Sequence, residues 1–359
     1  MKTILILSAA LSSLALAASA QDRVVNVVSW GGSYAKSQVE AYNKPFQEQT
    51  GIKVNMIDAD NPATPLKAQV EAGNVTGDVF DLEMSAAIRL CDEGALMPID
   101  PAVLPPAPDG TPATEDFVEG GLQDCAVANI AWGTVIGYDT TKFPNEAPDS
   151  VADFFDLETF PGKRGLPKEP KRTLYLALIA DGADPGTIYD LLGTTEGVDR
   201  ALAKLGTIKN SVVWWEAGAQ PVQLLADGEV TMTTVYNGRL FDAIVAEGKP
   251  FGTIWDGQYL ELNMFAIPKG APHPEEAMEY VKFATDTERL AGQAKWIAYG
   301  PARHSSAALV GTYQDGKTEM APYMPTNPAN TATAVNDDPE FWADHDAELT
   351  ERFNAWLAQ

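Results

Sequence analysis

The chain has 359 residues, 45% of them hydrophobic, with 8 tryptophans and a formal charge of −25. That length exceeds one ordinary core and suits two lobes. So acidic a chain will not hold nucleic acid or an anionic membrane surface by bulk electrostatics, although its charge favours solubility.

Residues 1–20 have the layout of a secretory signal: Lys2, an apolar run over residues 4–17, then Ala18-Ser19-Ala20 as the small-residue cleavage site. The run is too short for a bilayer, which needs roughly 20 apolar residues. Cleavage after Ala20 and a periplasmic mature protein are expected. In that oxidising compartment the two cysteines, Cys91 and Cys125, are most simply a disulfide.

Residues 24–29 read as a buried strand of four valines, broken by Gly31-Gly32. Ser33 is expected to cap a helix over 35–49, with Tyr42 and Phe46 on one face and Pro45 predicting a kink. A second strand follows at 52–57, a helix at 66–72, a third strand at 79–84 ending at Ser85, and a helix at 86–93. This alternation predicts a mainly parallel, doubly wound sheet, with ligands beyond the carboxyl ends of its strands, where Trp30 and Ser85 fall. Six prolines between Pro98 and Pro112 mark a surface loop. Further strands are read at 130–138, 164–166, 230–236 and 260–267, the first and last carrying the chain between lobes. Helices are read at 173–180, 198–205, 221–226 and 344–357. The last of these sets Leu349, Phe353 and Trp356 at core spacing.

Gly311 to Thr318 satisfies the phosphate-loop pattern G-x-x-x-x-G-K-[ST]. Pro322, Pro325 and Pro328 follow where that chemistry needs a helix, so the segment reads as a surface turn. His273, His304 and His345 are scattered, and no H-E-x-x-H or G-x-S-x-G motif occurs. No metal, cofactor or catalytic residue is proposed. Trp30, Tyr34, Trp132, Trp214, Trp215, Tyr236 and Trp255 fall at or near strand ends and loops, where rings could wall a small solute or cage an ammonium group. Trp132 and Trp255 read better as core. Of the Trp214-Trp215 pair at most one faces a cleft, because neighbours on a strand point oppositely.

Taken together, Trp30-Gly-Gly-Ser-Tyr34, Cys91-Asp-Glu-Gly94, Gly162-Lys163, Leu225-Ala-Asp-Gly-Glu-Val230, Tyr236-Asn-Gly238, Ala266-Ile-Pro-Lys-Gly270, Tyr299-Gly-Pro301 and Arg352-Phe-Asn-Ala-Trp356 carry a resemblance. The chain resembles the periplasmic solute-binding proteins of ABC importers, of the spermidine/putrescine-binding type. The resemblance implies an α/β fold of two doubly wound lobes joined by hinge strands, the type II arrangement. Lobe 1 is expected over 21–131 plus 262–308, and lobe 2 over 132–261 plus 309–359. It further implies a monomer that closes on a small solute and presents it to an inner-membrane ABC permease.

The departures from that family decide the ligand. Glu169 matches an acidic position of polyamine binders, but Arg172 stands where a second acid is usual. Arg239 follows the Tyr236-Asn-Gly238 turn, Asn263 replaces an amine-gripping Asp, and Glu261 occupies an often aromatic position. Two guanidinium groups make a poor site for a dication and a good one for a carboxylate. The expected ligand is therefore a zwitterion such as 4-aminobutyrate, or a related amino acid or betaine. Its carboxylate would face Arg239 or Arg172, and its amine Glu261, with Trp30 or Tyr34 stacked beside it. Ser33, Ser85, Trp215, Tyr236, Asn263 and Tyr299 complete the expected site. The alternatives are arginines that point to solvent or pair with neighbouring acids, a polyamine held by Glu169, Glu261 and the aromatics, and a secreted hydrolase.

Overall fold

The structure, a computed structural model, describes residues 23–359. The expected signal segment and its cleavage point lie outside the described residues. Val24–Ser29 (β1) is the apolar strand expected, with Val25 and Val27 fully covered. It pairs in parallel with Lys53–Asp58 (β2) on one side and Val79–Glu83 (β3) on the other. Burial on both faces explains a run of valines instead of an alternating pattern.

Leu122–Gln123 (β4) turns back onto the long strand Ala126–Asp139 (β5). Arg164–Pro167 (β6) then lies parallel to both Val212–Trp215 (β7) and Met232–Tyr236 (β8). Phe251–Ala266 (β9) runs antiparallel along nearly all of β5 and also pairs with β3. Two short strands, Gly300–Pro301 (β10) and Val335–Asn336 (β11), sit beside β5 and β9. The main order is β2-β1-β3-β9-β5-β8-β6-β7, in one sheet of 11 strands among the described residues. The two halves thus share a continuous hydrogen-bonded ladder, because β5 and β9 are long enough to serve both.

Two large cores flank this ladder. The first draws on residues 25–128 and 264–302, around Phe46, Phe80, Leu90 and Tyr280. The second draws on residues 136–259 and 335–353, around Phe154, Leu178, Leu205 and Trp342. The C-terminal helix Pro339–Leu357 sends Leu349 and Phe353 into the second core, with Trp356 partly covered beside them.

The first helix departs from expectation. It begins at Gly32 with Gly31 as its cap, so Ser33 lies inside the first turn and caps nothing. A widened π turn at Val39–Asn43 then precedes Lys44–Thr50, in whose first turn Pro45 sits. A proline without an N–H, crowding the carbonyl four residues back, accounts for that widened turn in place of a sharp kink. Tyr42 and Phe46 remain fully buried.

Cys91 and Cys125 form the disulfide, with Cα atoms 5.8 Å apart and a sequence separation of 34. The phosphate-loop pattern is a turn. The carboxylate of Asp315 accepts the backbone N–H groups of Lys317 and Thr318, which a phosphate would need.

Candidate functional site

Strand register builds the floor of a cleft at the carboxyl ends of both sets of parallel strands. Glu83, the last residue of β3, pairs directly with Asn263 of β9, which in turn pairs with Ile130 of β5. Paired residues share a face, so these three side chains form one row. Trp132 lies two residues beyond Ile130 on the same face, and its indole N–H donates to Asn263 Oδ1 at 2.7 Å. Asn263 donates to Asp81 Oδ1 at 2.7 Å.

Asp81 is the buried hub beneath the floor. Its Oδ2 accepts from the Tyr34 hydroxyl at 2.6 Å, from Asn129 at 2.9 Å and from the Gln38 amide. Burial raises its carboxyl to about 6, against the pull of these four donors. The network locks Tyr34 and Asn263 in place.

The walls come from the first and second halves together. Gly31 and Gly32 take φ of 67° and 62°, which only glycine adopts freely. A side chain at Gly32 would also meet Arg239 Nη1 at 3.4 Å. This bare turn lets Arg239 Nη2 donate to the Trp30 carbonyl at 3.2 Å. Arg239 rides on the short helix Asn237–Phe241, which Asn237 anchors by accepting from the Gly133 N–H and donating to the Ala298 carbonyl. Gly238 admits the ring of Tyr299, which a Cβ there would meet at 2.5 Å.

The result is a cavity of about 300 Å³, mouth included, lined by Trp30, Tyr34, Glu83, Ile130, Trp132, Tyr236, Arg239, Asn263 and Tyr299. Its rings pack edge to face, Tyr34 with Tyr299 at 5.4 Å and Trp132 with Tyr236 at 4.8 Å. Its lining holds one cation, Arg239, and one acid, Glu83. Arg239 Nε and the Trp30 indole N–H are buried and have no partner among the described residues. Buried donors of this kind are costly unless a further group satisfies them.

An ion cluster that shares Glu83 with the cavity stands behind the aromatic wall. Arg172, in the first turn of the helix Lys171–Ala180, donates to Glu261 at 2.7 and 3.0 Å, to Glu169 at 2.6 Å and to Glu83 at 2.6 Å. Lys171 pairs with Glu261 at 2.7 Å and with Asp337 at 3.1 Å. Burial opposes the charge on both cations, yet the surrounding carboxylates outweigh it and hold both above their usual range. Glu83 moves the other way. Burial opposes its ionised form, but Arg172 and Lys171 outweigh that and hold it below the usual carboxylate range.

This geometry redistributes the expected roles. Arg172 is not a free carboxylate clamp: three acids neutralise it, the alternative foreseen for an arginine here. Glu261 shares the strand face of Asn263 but is only 2% exposed beneath Arg172 and Lys171, so it does not line the cavity as an amine partner. Glu169 stands on the rim of a wider polar channel with Asp58, Asp60 and Glu216. Ser85 faces a neighbouring cleft and Lys171. Trp215 backs Tyr236 edge to face at 5.9 Å without reaching the cavity, while Trp214 turns to Phe353. Ser33 is half-buried outside the cavity lining. Trp132, expected as core, is buried and still forms a wall.

The cavity brings together Trp30, Tyr34, Tyr236, Arg239, Asn263 and Tyr299. Glu83 and Ile130 were missed. Glu83 ends the third strand beside Ser85, so the strand-end rule that selected Ser85 also points to it.

A family model for bacterial extracellular solute-binding proteins matches residues 41–326. The chain belongs to that family. The gamma-aminobutyric acid-binding protein of Pseudomonas aeruginosa is 40% identical over 97% of this chain and 94% of its own. Among solved structures, the binding protein MotA of Agrobacterium tumefaciens in complex with glucopine is 31% identical, with a TM-score of 0.83 over 93% of this chain and 99% of its own. A solved GABA receptor is 31% identical, with a TM-score of 0.78 over 94% and 98%. The chain is thus a solute-binding protein of the ABC-importer type, on the α/β fold read from its sequence.

Proposed function

We propose that this solute-binding protein captures 4-aminobutyrate, or a close ω-amino acid, in the aromatic cavity. The observation that carries the reading is the pairing, across a box of rings, of one acid and one guanidinium that has no carboxylate partner among the described residues. The ligand carboxylate takes the unused donors of Arg239 and the Trp30 indole. The ammonium meets Glu83 and the faces of the surrounding rings. A diamine would set its second ammonium against Arg239, a repulsion strengthened by the poorly solvated cavity. The names of the 40% identical relative and of the solved receptor point to the same ligand.

Glu83 ends a strand of the first half, whereas Arg239 follows a strand of the second. A ligand touching both therefore favours the closed form by contacts the open form lacks. The moving bodies are lobe 1, 21–131 plus 262–308, and lobe 2, 132–261 plus 309–359, with β5 and β9 as hinges. The mature protein, cleaved after Ala20, works as a periplasmic monomer. It binds without turnover and hands its ligand to an inner-membrane permease.

Calorimetric titration of refolded, ligand-stripped Arg239→Ala tests the clamp. Loss of a charge-assisted pair predicts affinity for 4-aminobutyrate weaker by about 10- to 100-fold or more. Unchanged affinity would refute the role of Arg239.

A further inference from the structure

Arg239 repels a second ammonium at its own end of the cavity, but the acid-rich surroundings of Glu83 would still attract one there. Glu83, Glu169 and Glu261 all touch a single guanidinium, at 2.6, 2.6 and 2.7 Å, so they lie within reach of one small cation. The same guanidinium stands 5.0 Å from the Trp132 ring centre and 5.8 Å from that of Tyr236. Both rings also line the ligand cavity. Three carboxylates and two ring faces converging on one point are the chemistry that recognises an alkylammonium group.

We infer that Arg172 is a built-in cation that occupies this place and restricts the cavity to ligands bearing one positive charge. The inference rests on the proposed 4-aminobutyrate reading and deepens it. Arg172 draws one oxygen of Glu83 away from the cavity. It thereby leaves the ligand a single acid instead of three. Lys171 also reaches Glu83, at 3.7 Å, but it is held closer by Glu261 at 2.7 Å and Asp337 at 3.1 Å. Removing the guanidinium frees the oxygens it held, Oε1 of Glu83, Oε1 of Glu169 and Oε2 of Glu261, beside the aromatic wall, where a linear diamine can place its second ammonium.

The test is calorimetric titration of the wild-type chain, Arg172→Ala and Arg172→Gln with putrescine and with 4-aminobutyrate. Wild type should prefer 4-aminobutyrate, and both variants should gain about tenfold or more in putrescine affinity. Methylguanidinium at millimolar concentration, returning the missing cation, should suppress that gain. A merely structural arginine would show neither the gain nor the suppression. Variants that keep the wild-type circular dichroism spectrum yet gain no putrescine affinity would overturn the inference. Should both variants fail to fold, the arginine is a structural residue and the inference is overturned. If wild type ignores 4-aminobutyrate, the ligand reading fails, while the putrescine gain still decides the role of Arg172.

Discussion

Asp81 gives the molecule a specific pH signature. An unfolded aspartate titrates near 3.9, whereas burial raises this one to about 6 in the folded chain. Between about pH 4 and 6 the folded state therefore holds a proton that the unfolded state has released. Stability contributed by this group falls as pH rises through that window, by at most about 1.4 kcal/mol per pH unit, and is level above it. Asp81→Asn, neutral throughout, should flatten that slope in thermal unfolding between pH 4 and 7. An unchanged slope would show that Asp81 does not titrate there. Glu83→Gln keeps an acceptor for Arg172 but removes the charge facing the ammonium, so 4-aminobutyrate affinity should drop by about tenfold or more. The logic of a zwitterion was legible at this scale, since Arg239 and the rings of Trp30 and Tyr34 could be picked out directly. The acid was not. Glu261 and Asn263 share a strand face, but only the packing of Lys171 and Arg172 over Glu261 reveals that Glu83 is the acid left lining the cavity.

At the scale of elements, β1, β3, β6 and β8 were legible because their apolar runs end in glycine or polar breaks. Strands β5 and β9 were read too short, at 130–138 and 260–267. Asp256, Gly257 and Gln258 interrupt the apolar pattern of β9, and Gly257 has φ of 62°. A register shift on β5 between Thr134 and Ile136 absorbs the interruption, and no local pattern marks it. The loop before β6 shows how tertiary contacts replace local signals. Arg164 is fully buried and donates to the carbonyls of Phe154, Asp156, Phe160 and Gly162. Arg164→Met would leave these acceptors unsatisfied. Denaturant unfolding should show a loss of about 3 kcal/mol or more; a loss near zero would mean water or repacking satisfies the loop.

At the scale of the whole molecule, two features follow from length and compartment: two cores, and a bridge between the only two cysteines. The bridge constrains a 34-residue separation around the proline-rich loop. Cys91→Ser with Cys125→Ser should lower unfolding free energy by about 2–4 kcal/mol and leave ligand affinity unchanged, as neither residue lines the cavity. Two reactive thiols in denatured, unreduced protein would refute the bridge. What composition could not convey is the continuity of the sheet. Hinge strands were expected at 130–138 and 260–267; β5 and β9 are longer than those runs and carry the hydrogen bonds from one set of strands to the other.

The central claim is that the cavity grips opposite charges at the two ends of one small ligand. Its most direct test is calorimetry of the ligand-stripped wild-type chain with 4-aminobutyrate, butyrate, butylamine and putrescine. One-to-one binding of 4-aminobutyrate, with each single-ended analogue weaker by about 100-fold or more, is the predicted result. Equal or tighter binding of butylamine or putrescine would show that Arg239 does not face a carboxylate, and would contradict the account.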